Sequence, residues 1–473
     1  MRQVIQNRRY IALSTLALVA GALASLETRL AVEALAVIGI VVICLSIDRL
    51  EHYVVLLFVV AMFYRAIAIA VGFWYFPVVL DTLVAVVTLA ALLRPSTPSV
   101  SSVPLLASMG WSLFFGVALV ELFNPNIPSA LAAANGFRVT AYQAIAFWLG
   151  VRAFRNDDDF ETLLRWMLLF GLLVLANGIR QLIWPLPLDS LFMEAARSSP
   201  DVFELTNRGL ARRAFSVFPS PFALGYFGTL MSLISWYLGS VTKQSRYWIA
   251  TAIAIAGALA SLTRSTLFAL LCAFVVVFVF SRKGFTRRLA LIGLGTLLMG
   301  GLVVSLAHLI PTIGILFAVS RSPLTEPNFV ARVGIWHDVW PMILRRPVVA
   351  YGVSSAGDAL DYLYAGTGDF HTVPHNVLLK LLLELGVVGT AGFVALISAA
   401  SVRALGSLKT ERARLKGTFL IACMSGILAQ GITGSAIESY PANLYFWFLV
   451  GVAARLKDHP STPPGSTSSV NAS

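Results

Sequence analysis

The chain is short of charge. Asp, Glu, Lys and Arg make up 12% of 473 residues while 58% are hydrophobic, against about a quarter charged in ordinary soluble domains, and the mean hydropathy is +0.81. A surface of that composition could not stay in water, so a water-soluble enzyme is excluded and an all-α, polytopic integral membrane bundle is expected. Cysteine is nearly absent: Cys44, Cys272 and Cys423 all lie in apolar runs, which excludes a disulfide framework and a thiolate metal site. No Asp-x-Asp and no His/Asp/Glu cluster at metal-ligand spacing occurs in the outer loops, although Asp358, Asp361 and Asp369 are scattered there. A metal-independent protein without a cofactor is therefore expected. Internal repeats and a water-soluble domain are also lacking, and without two similar halves a transporter or flippase is the weaker reading.

What charge there is carries information in its position. The formal net charge is +12, but the basic residues fall mostly in short loops between apolar runs, the pattern of a membrane protein's orientation signal and not of a nucleic-acid partner. Apolar runs at 10–26, 31–47, 53–72, 78–93, 104–123, 129–150, 162–184, 217–240, 248–262, 265–281, 289–307, 376–400, 417–435 and 442–455 predict about 12–14 transmembrane helices in a single membrane domain over 1–473. With the N-terminus inside, the cytoplasmic loops hold Arg2, Arg8, Arg9, Arg49, Arg94, Arg152, Arg155, Lys243, Arg246, the 282–288 group, the 403–416 group, Arg455 and Lys457. The short loops of the other face hold only Arg29 and Arg264, so both termini are expected in the cytoplasm. The first run follows Arg8-Arg9 and precedes Ala22-Leu-Ala24, a pattern shared with secretory signals, and it is read as an uncleaved helix. The stretch 457–473 is rich in Pro, Ser and Thr and is expected to be a disordered tail.

Two outer loops are long, about 185–216 and 308–375, and chemistry is expected there. The first closes on Arg208, Arg212 and Arg213 just before Phe-Ser-Val-Phe-Pro-Ser-Pro; such guanidiniums either anchor to lipid headgroups or hold a bound anion. Ser261-Leu-Thr-Arg264-Ser-Thr divides two barely spanning runs, and an arginine near membrane depth lines a cavity or snorkels out. The second loop holds a predicted amphipathic helix from Asn328, its cap, to about Arg346. Phe329, Arg332, Trp336, Val339 and Ile343 share one face of it. Gly352 and Gly357 fit turns. Arg65, Arg138, Arg165, Arg180 and Lys380 are expected to snorkel or to pair inside the bundle, Lys380 with Glu384 one turn on, which makes Glu384 more structural than catalytic. His371-Thr-Val-Pro-His375-Asn376 then opens the apolar run behind it, with Pro374 and His375 expected in the first turn. The positive end of the helix dipole works against a second positive charge there, which suits a neutral base.

His375-Asn376, an apolar stretch and Glu384-Leu-Gly386-x-x-Gly389 resemble the signature of the O-antigen ligase and polymerase superfamily, glycosyltransferases of the C-type that use polyprenyl-pyrophosphate-linked sugars. Arg332-x-x-x-Trp336, Arg346-Pro347 and Gly352 follow the order of that superfamily's carboxy-terminal half. Arg264 matches its Ser/Thr-Arg, and Arg213 to Pro221 loosely resembles its polymerase branch. The resemblance implies an inverting, metal-independent transfer at the periplasmic face of a bacterial inner membrane. The donor would be an undecaprenyl-pyrophosphate-linked glycan and the acceptor a glycan or another lipid-linked molecule. It also implies His375 as catalytic base and Arg264, Arg332 and Arg213 as pyrophosphate ligands, with His371, Asn376 and Glu384 in secondary places. A polysaccharide polymerase is the expected member, an O-antigen ligase the alternative.

Overall fold

The computed structural model describes residues 50–71, 76–93, 103–154, 156–194, 213–281, 327–357, 360–364, 368–408, 410–432, 434 and 436–456. The expected spans 10–26, 31–47 and 289–307, the signal-like start and the tail lie outside the described residues. Within them the chain is helical throughout, with one isolated parallel bridge, Ala356 to Thr372. Six helices are long and apolar enough to cross a membrane. They are α1 Leu50–Val71, α2 Phe76–Leu93, α3 Leu105–Val120 with a 3-10 turn to Phe123, α6 Asp157–Ile183, α8 Pro221–Thr242 and α13 Val377–Gly406. Shorter helices fill in: α4 Ala130–Thr140, α5 Ala146–Arg152, α7 Leu188–Glu194, α9 Ser245–Leu259, α10 Arg264–Phe280, α11 Pro327–Arg345, α12 Asp361–Tyr364, α14 Glu411–Gly431 and α15 Ala442–Ala454.

The caps explain the boundaries. Ser220 accepts the Ala223 N–H and Pro221 supplies the first helical residue of α8, while Lys243 ends it in the left-handed region at φ 59°. Asn156 caps α6 ahead of Asp157, Asp158 and Asp159, which suit the positive end of its dipole. Helix α8 is the axis of the bundle, with 94% of its spanning window buried. It packs against α6, α9, α10 and α14.

The expected span 129–150 is corrected to three pieces, α4, a 3-10 turn Tyr142–Ile145 and α5. Tyr142 and Gln143 leave the helix because their side chains serve Asp81 of α2: the Tyr142 hydroxyl donates to its carbonyl at 2.7 Å and Gln143 Nε2 to its carboxylate at 2.7 Å. Broken backbone is tolerated at that depth where protein covers it.

The ends of the bundle differ in character. At one, Arg412 donates to Asp158 and Glu161 at 2.8 and 2.9 Å, Lys416 to Asp157 at 2.6 Å, and Lys243 lies 3.6 Å from Glu411. These ion pairs gather the 152–161, 242–246 and 407–416 loops, the ones that the charge pattern assigns to a common face. The predicted site residues collect at the other end.

Candidate functional site

The site is assembled around the start of α13. Asn376 is the cap, its Oδ1 accepting the Leu378 and Leu379 N–H groups at 3.0 and 3.2 Å, and its Nδ2 donates to the Ile432 carbonyl at 3.2 Å. Its contacts are those of a structural cap. The expected first-turn position of His375 is thereby corrected: the helix begins at Val377, and His375 precedes the cap in left-handed backbone, φ 46°. An asparagine side chain replaces two orphan N–H partners, which a proline-led start would leave open. His375 still lies at the mouth of the helix, half-buried.

Helix α11 holds this mouth from the side. It starts at Pro327, one residue ahead of the expected cap Asn328, which falls within the helix. Trp336 Nε1 donates to the Pro374 carbonyl at 2.6 Å, tying α11 to the residue before His375. Val339 and Ile343 are buried against Leu383 of α13 and Ala356, so the predicted face is the packed one. Arg332 lies one turn from Trp336 and is half-buried.

Behind His375 the loop 347–357 crosses α13 where the helix breaks. Gly386 has φ 64° and ψ −171°, and a Cβ there would meet the Val348 and Pro347 carbonyls at 2.7 and 2.8 Å. Val387 N–H donates to the Pro347 carbonyl at 2.8 Å and Tyr351 N–H to the Leu383 carbonyl at 2.9 Å. The strap therefore takes up backbone groups that the break sets free. Gly352 and Gly357 turn at φ 93° and 109°.

Glu384 organises the strap from inside. Its fully buried carboxylate accepts from Lys380 Nζ at 2.5 Å, Thr140 Oγ1 at 2.7 Å, Ser354 N–H at 3.0 Å and Ala356 N–H at 3.3 Å. The expected Lys380–Glu384 pair is present, and Lys380 also donates to Thr140 at 2.6 Å and lies 3.9 Å from Glu438. Ser354 is buried at φ 95° and shares a 2.7 Å hydroxyl bond with Tyr364, whose ring lies 4.7 Å from the His371 ring. Burial raises the Tyr364 phenol above its ordinary value, and the Glu384 and Asp369 charges add to this against the Ser354 hydrogen bond. His371 is thus joined to Glu384 through two residues that the sequence did not single out, by the Tyr364 side chain and by the hydroxyl and backbone N–H of Ser354.

The arginines come from the other half of the bundle. Arg264 is the first residue of α10, behind Ser261, Thr263 and Thr266, whose hydroxyls interlock at 2.5–3.4 Å. Arg213 adjoins the same turn, since Ala214 N–H donates to the Ala260 carbonyl at 3.2 Å. Gln181 fixes this loop by accepting the Phe215 and Ser216 N–H groups at 3.2 and 2.6 Å. A contact path links the two halves: Asn376 touches Ile432 at the end of α14, and Gln430 donates to the Phe222 carbonyl of α8 at 2.9 Å. Gly225, one turn on, faces Ser261 and Thr266. Arg213, Arg264, Arg332, His371 and His375 therefore share one end of the bundle.

Among the described residues, Arg138, Arg165 and Arg180 pair with carboxylates, and Arg65 bonds a backbone carbonyl. Arg138 donates to Asp81, which also accepts from Tyr440; Arg180 grips Asp189 with two bonds of 2.7 Å; Arg165 lies 3.4 Å from Glu161 and Arg65 donates to the Phe192 carbonyl at 3.2 Å. His337 is exposed beside Asp338, and His308 lies outside the described residues. Among the described residues no group of three His, Cys, Asp or Glu is placed to hold a metal ion. Thr140, Ser354, Tyr364 and Glu438 are the site neighbours that sequence reasoning missed. The lone Asp81 inside an apolar run was a readable signal, as is any carboxylate at membrane depth.

Residues 249–394 match the family model described as O-antigen ligase. A protein of Rickettsia prowazekii named as a candidate polysaccharide ligase is 31% identical over 129 residues, 21% of this chain and 32% of that one. A Rickettsia conorii protein of the same description is 35% identical over 80 residues, 15% of this chain and 20% of that one. The chain spans at most about a third of the length of these curated relatives. No solved structure matches.

Proposed function

We propose that this chain, which belongs through residues 249–394 to the O-antigen ligase and polymerase superfamily, polymerises undecaprenyl-pyrophosphate-linked oligosaccharide units into O-antigen or exopolysaccharide at the periplasmic face of a bacterial inner membrane. The observation that supports the reading is that the His375 turn and the Arg264 and Arg213 turns lie toward the same end of a membrane bundle, linked through Ile432, Gln430 and Phe222, with Arg332 on α11 one turn from the Trp336 that bonds Pro374. His375 accepts the proton of the acceptor hydroxyl as its oxygen attacks the anomeric carbon. The bond to the pyrophosphate oxygen breaks from the opposite face, so the configuration inverts. Arg264 and Arg332 hold the leaving pyrophosphate, and guanidinium forks match its oxygens. Charge building on a leaving oxygen in a water-poor site is worth several kcal/mol to such donors. The chemistry in this reading is metal-independent and uses no cofactor. Arg213 extends the anion site; His371, held through Tyr364 and Ser354, stands beside the base; Asn376 and Glu384 shape the mouth without touching the sugar.

The names of the relatives favour one second reading, an O-antigen ligase with a lipid A core as acceptor. Deletion of the gene followed by glycan analysis separates the two. Accumulated single lipid-linked repeat units indicate the polymerase, unattached long polymer the ligase, and unchanged glycans overturn both. With purified protein and a lipid-pyrophosphate donor, His375→Ala should lower transfer on the order of 100- to 10,000-fold, the range for loss of a positioned general base. Near wild-type transfer by His375→Ala together with loss in His371→Ala would move the base to His371.

A further inference from the structure

Helix α11 has three sides, and the packed one accounts for only one of them. Ile335, Val339, Met342 and Ile343 face α13. A second side, Val330, Val333, Trp340 and Leu344, recurs at spacings of three, seven and four residues, which keeps it on one face, and is 43–63% exposed. His337 falls within this stripe. The third side, Ala331, Gly334, Asp338 and Arg345, is small or polar and also outward. A helix in water has no use for the second side, and a helix fully inside lipid has none for the third.

Length fixes the depth at which α11 sits. Helix α13 has 30 residues, about 45 Å at 1.5 Å per residue, whereas a hydrocarbon core is roughly 30 Å thick. The surplus is about ten residues, which tilt or projection past the hydrocarbon takes up. The start of α13 lies against Ile432, the end of the 21-residue α14, which sets that start near the boundary of the bilayer. The segment that α11 packs on is this first one, through Leu383, and the strap at Val348 meets the break at Gly386. Beyond the break Val387, Val388 and Val394 point outward from a spanning helix, and Val348, Val349, Leu344 and Trp340 extend that exposed apolar surface onto α11.

We infer that α11 is an interfacial helix whose Val330–Val333–Trp340–Leu344 stripe is seated in the acyl chains of the bilayer leaflet at the level of Gly386, with Asp338 and Arg345 toward water. The occupant is bulk bilayer lipid. Its chemistry matches an apolar stripe edged by a tryptophan and followed by Arg345 and Arg346, since such rings and cations sit at the headgroup boundary. The inference rests on the membrane bundle and holds whatever reaction the site performs.

Nitroxide labels on single cysteines at 333, 344 and 338, in full-length protein lacking its three native cysteines and reconstituted in phosphatidylglycerol-containing bilayers, test it directly. The ratio of oxygen to water-soluble nickel-chelate accessibility should be severalfold higher at 333 and 344 than at 338. Equal ratios at the three sites would overturn the inference. So would labels at 333 and 344 shielded from both reagents, because the stripe would then be covered by protein, either the chain's own 282–326 segment or a second copy. Immobilisation of those labels only on adding a polyprenyl pyrophosphate would assign the surface to the carrier lipid instead of the bilayer.

Discussion

At the scale of single residues, Gly386 and Glu384 set how the mouth of α13 is built. The Gly386 backbone lies in a region open essentially only to glycine, and any Cβ there would press two strap carbonyls. Gly386→Ala should lower stability by on the order of 2 kcal/mol or more, read as thermal unfolding of the purified protein in detergent. Gly116, in the middle of α3 with open space around a built Cβ, is the control. Its change to Ala should be neutral or stabilise by up to about 1 kcal/mol, and equal losses at both sites would refute the strap's role. Glu384→Ala removes the partner of a buried lysine and leaves the Ser354 and Ala356 N–H groups without their acceptor. Breaking such a pair costs about 3–5 kcal/mol, so this variant should unfold well before Gly386→Ala does. The Lys380–Glu384 pair was legible from its spacing alone. Thr140 and Ser354 were not, because they lie 244 and 30 residues from Glu384 and no local pattern encodes such partners. The break at Gly386 was hidden for a related reason: the run behind His375 is apolar on both sides of it, and hydropathy does not register the backbone angles of one residue.

At the scale of elements, the face of α11 was legible because helical periodicity dictates it. Its exact seat was not, since that depends on long-range contacts, among them the hydrogen bond from Trp336 to the Pro374 carbonyl and the packing of Val339 and Ile343 against Leu383. Trp336→Phe keeps most of the packing area and removes that donor, at a net cost of about 1 kcal/mol. Transfer activity should fall by more than that small loss of stability predicts, because the turn carrying His375 loses its lateral tie. Unchanged activity would show that α11 supports the fold and not the base. The loop before α8 depends on another pair. Burial works to raise the Asp189 carboxyl, but hydrogen bonds from Arg180, the Leu186 N–H and Gln181 outweigh it and hold the group below its ordinary value. A depressed carboxyl stabilises the fold above its unfolded value near 3.9, and that contribution is lost as pH falls through the folded value. Asp189→Asn should therefore destabilise at neutral pH by on the order of 2 kcal/mol, with the gap to wild type closing in acid. A gap independent of pH would mean that the carboxylate's charge is not what holds the loop.

At the scale of the whole molecule, composition carried most of what could be read: a helical membrane bundle and, among the described residues, most of its apolar helices to within about six residues. The span at 129–150 failed because its apolar run conceals Tyr142 and Gln143, whose role exists only where Asp81 lies opposite. The structure supplies a physical basis for the division of loops. Arg412 and Lys416 join Asp157, Asp158 and Glu161 at one end, whereas α13, one of the six helices long and apolar enough to cross a membrane, carries the chain from the cap Asn376 to Gly406, a few residues before that end. If α13 crosses the bilayer, residues near Ala413 and residues near His371 are reached from opposite sides. If the basic end is cytoplasmic, as the positive-inside rule requires, single cysteines near Pro200 and near Gly366, in a background lacking Cys44, Cys272 and Cys423, should react with a membrane-impermeant thiol reagent in whole cells. One at Ala413 should react only after the cells are opened. Labelling at 413 alone would invert the bundle, place His375 and its arginines in the cytoplasm, and end the proposal of a periplasmic transferase. Labelling at both 366 and 413 in intact cells would contradict the span between them and, with it, the bundle itself.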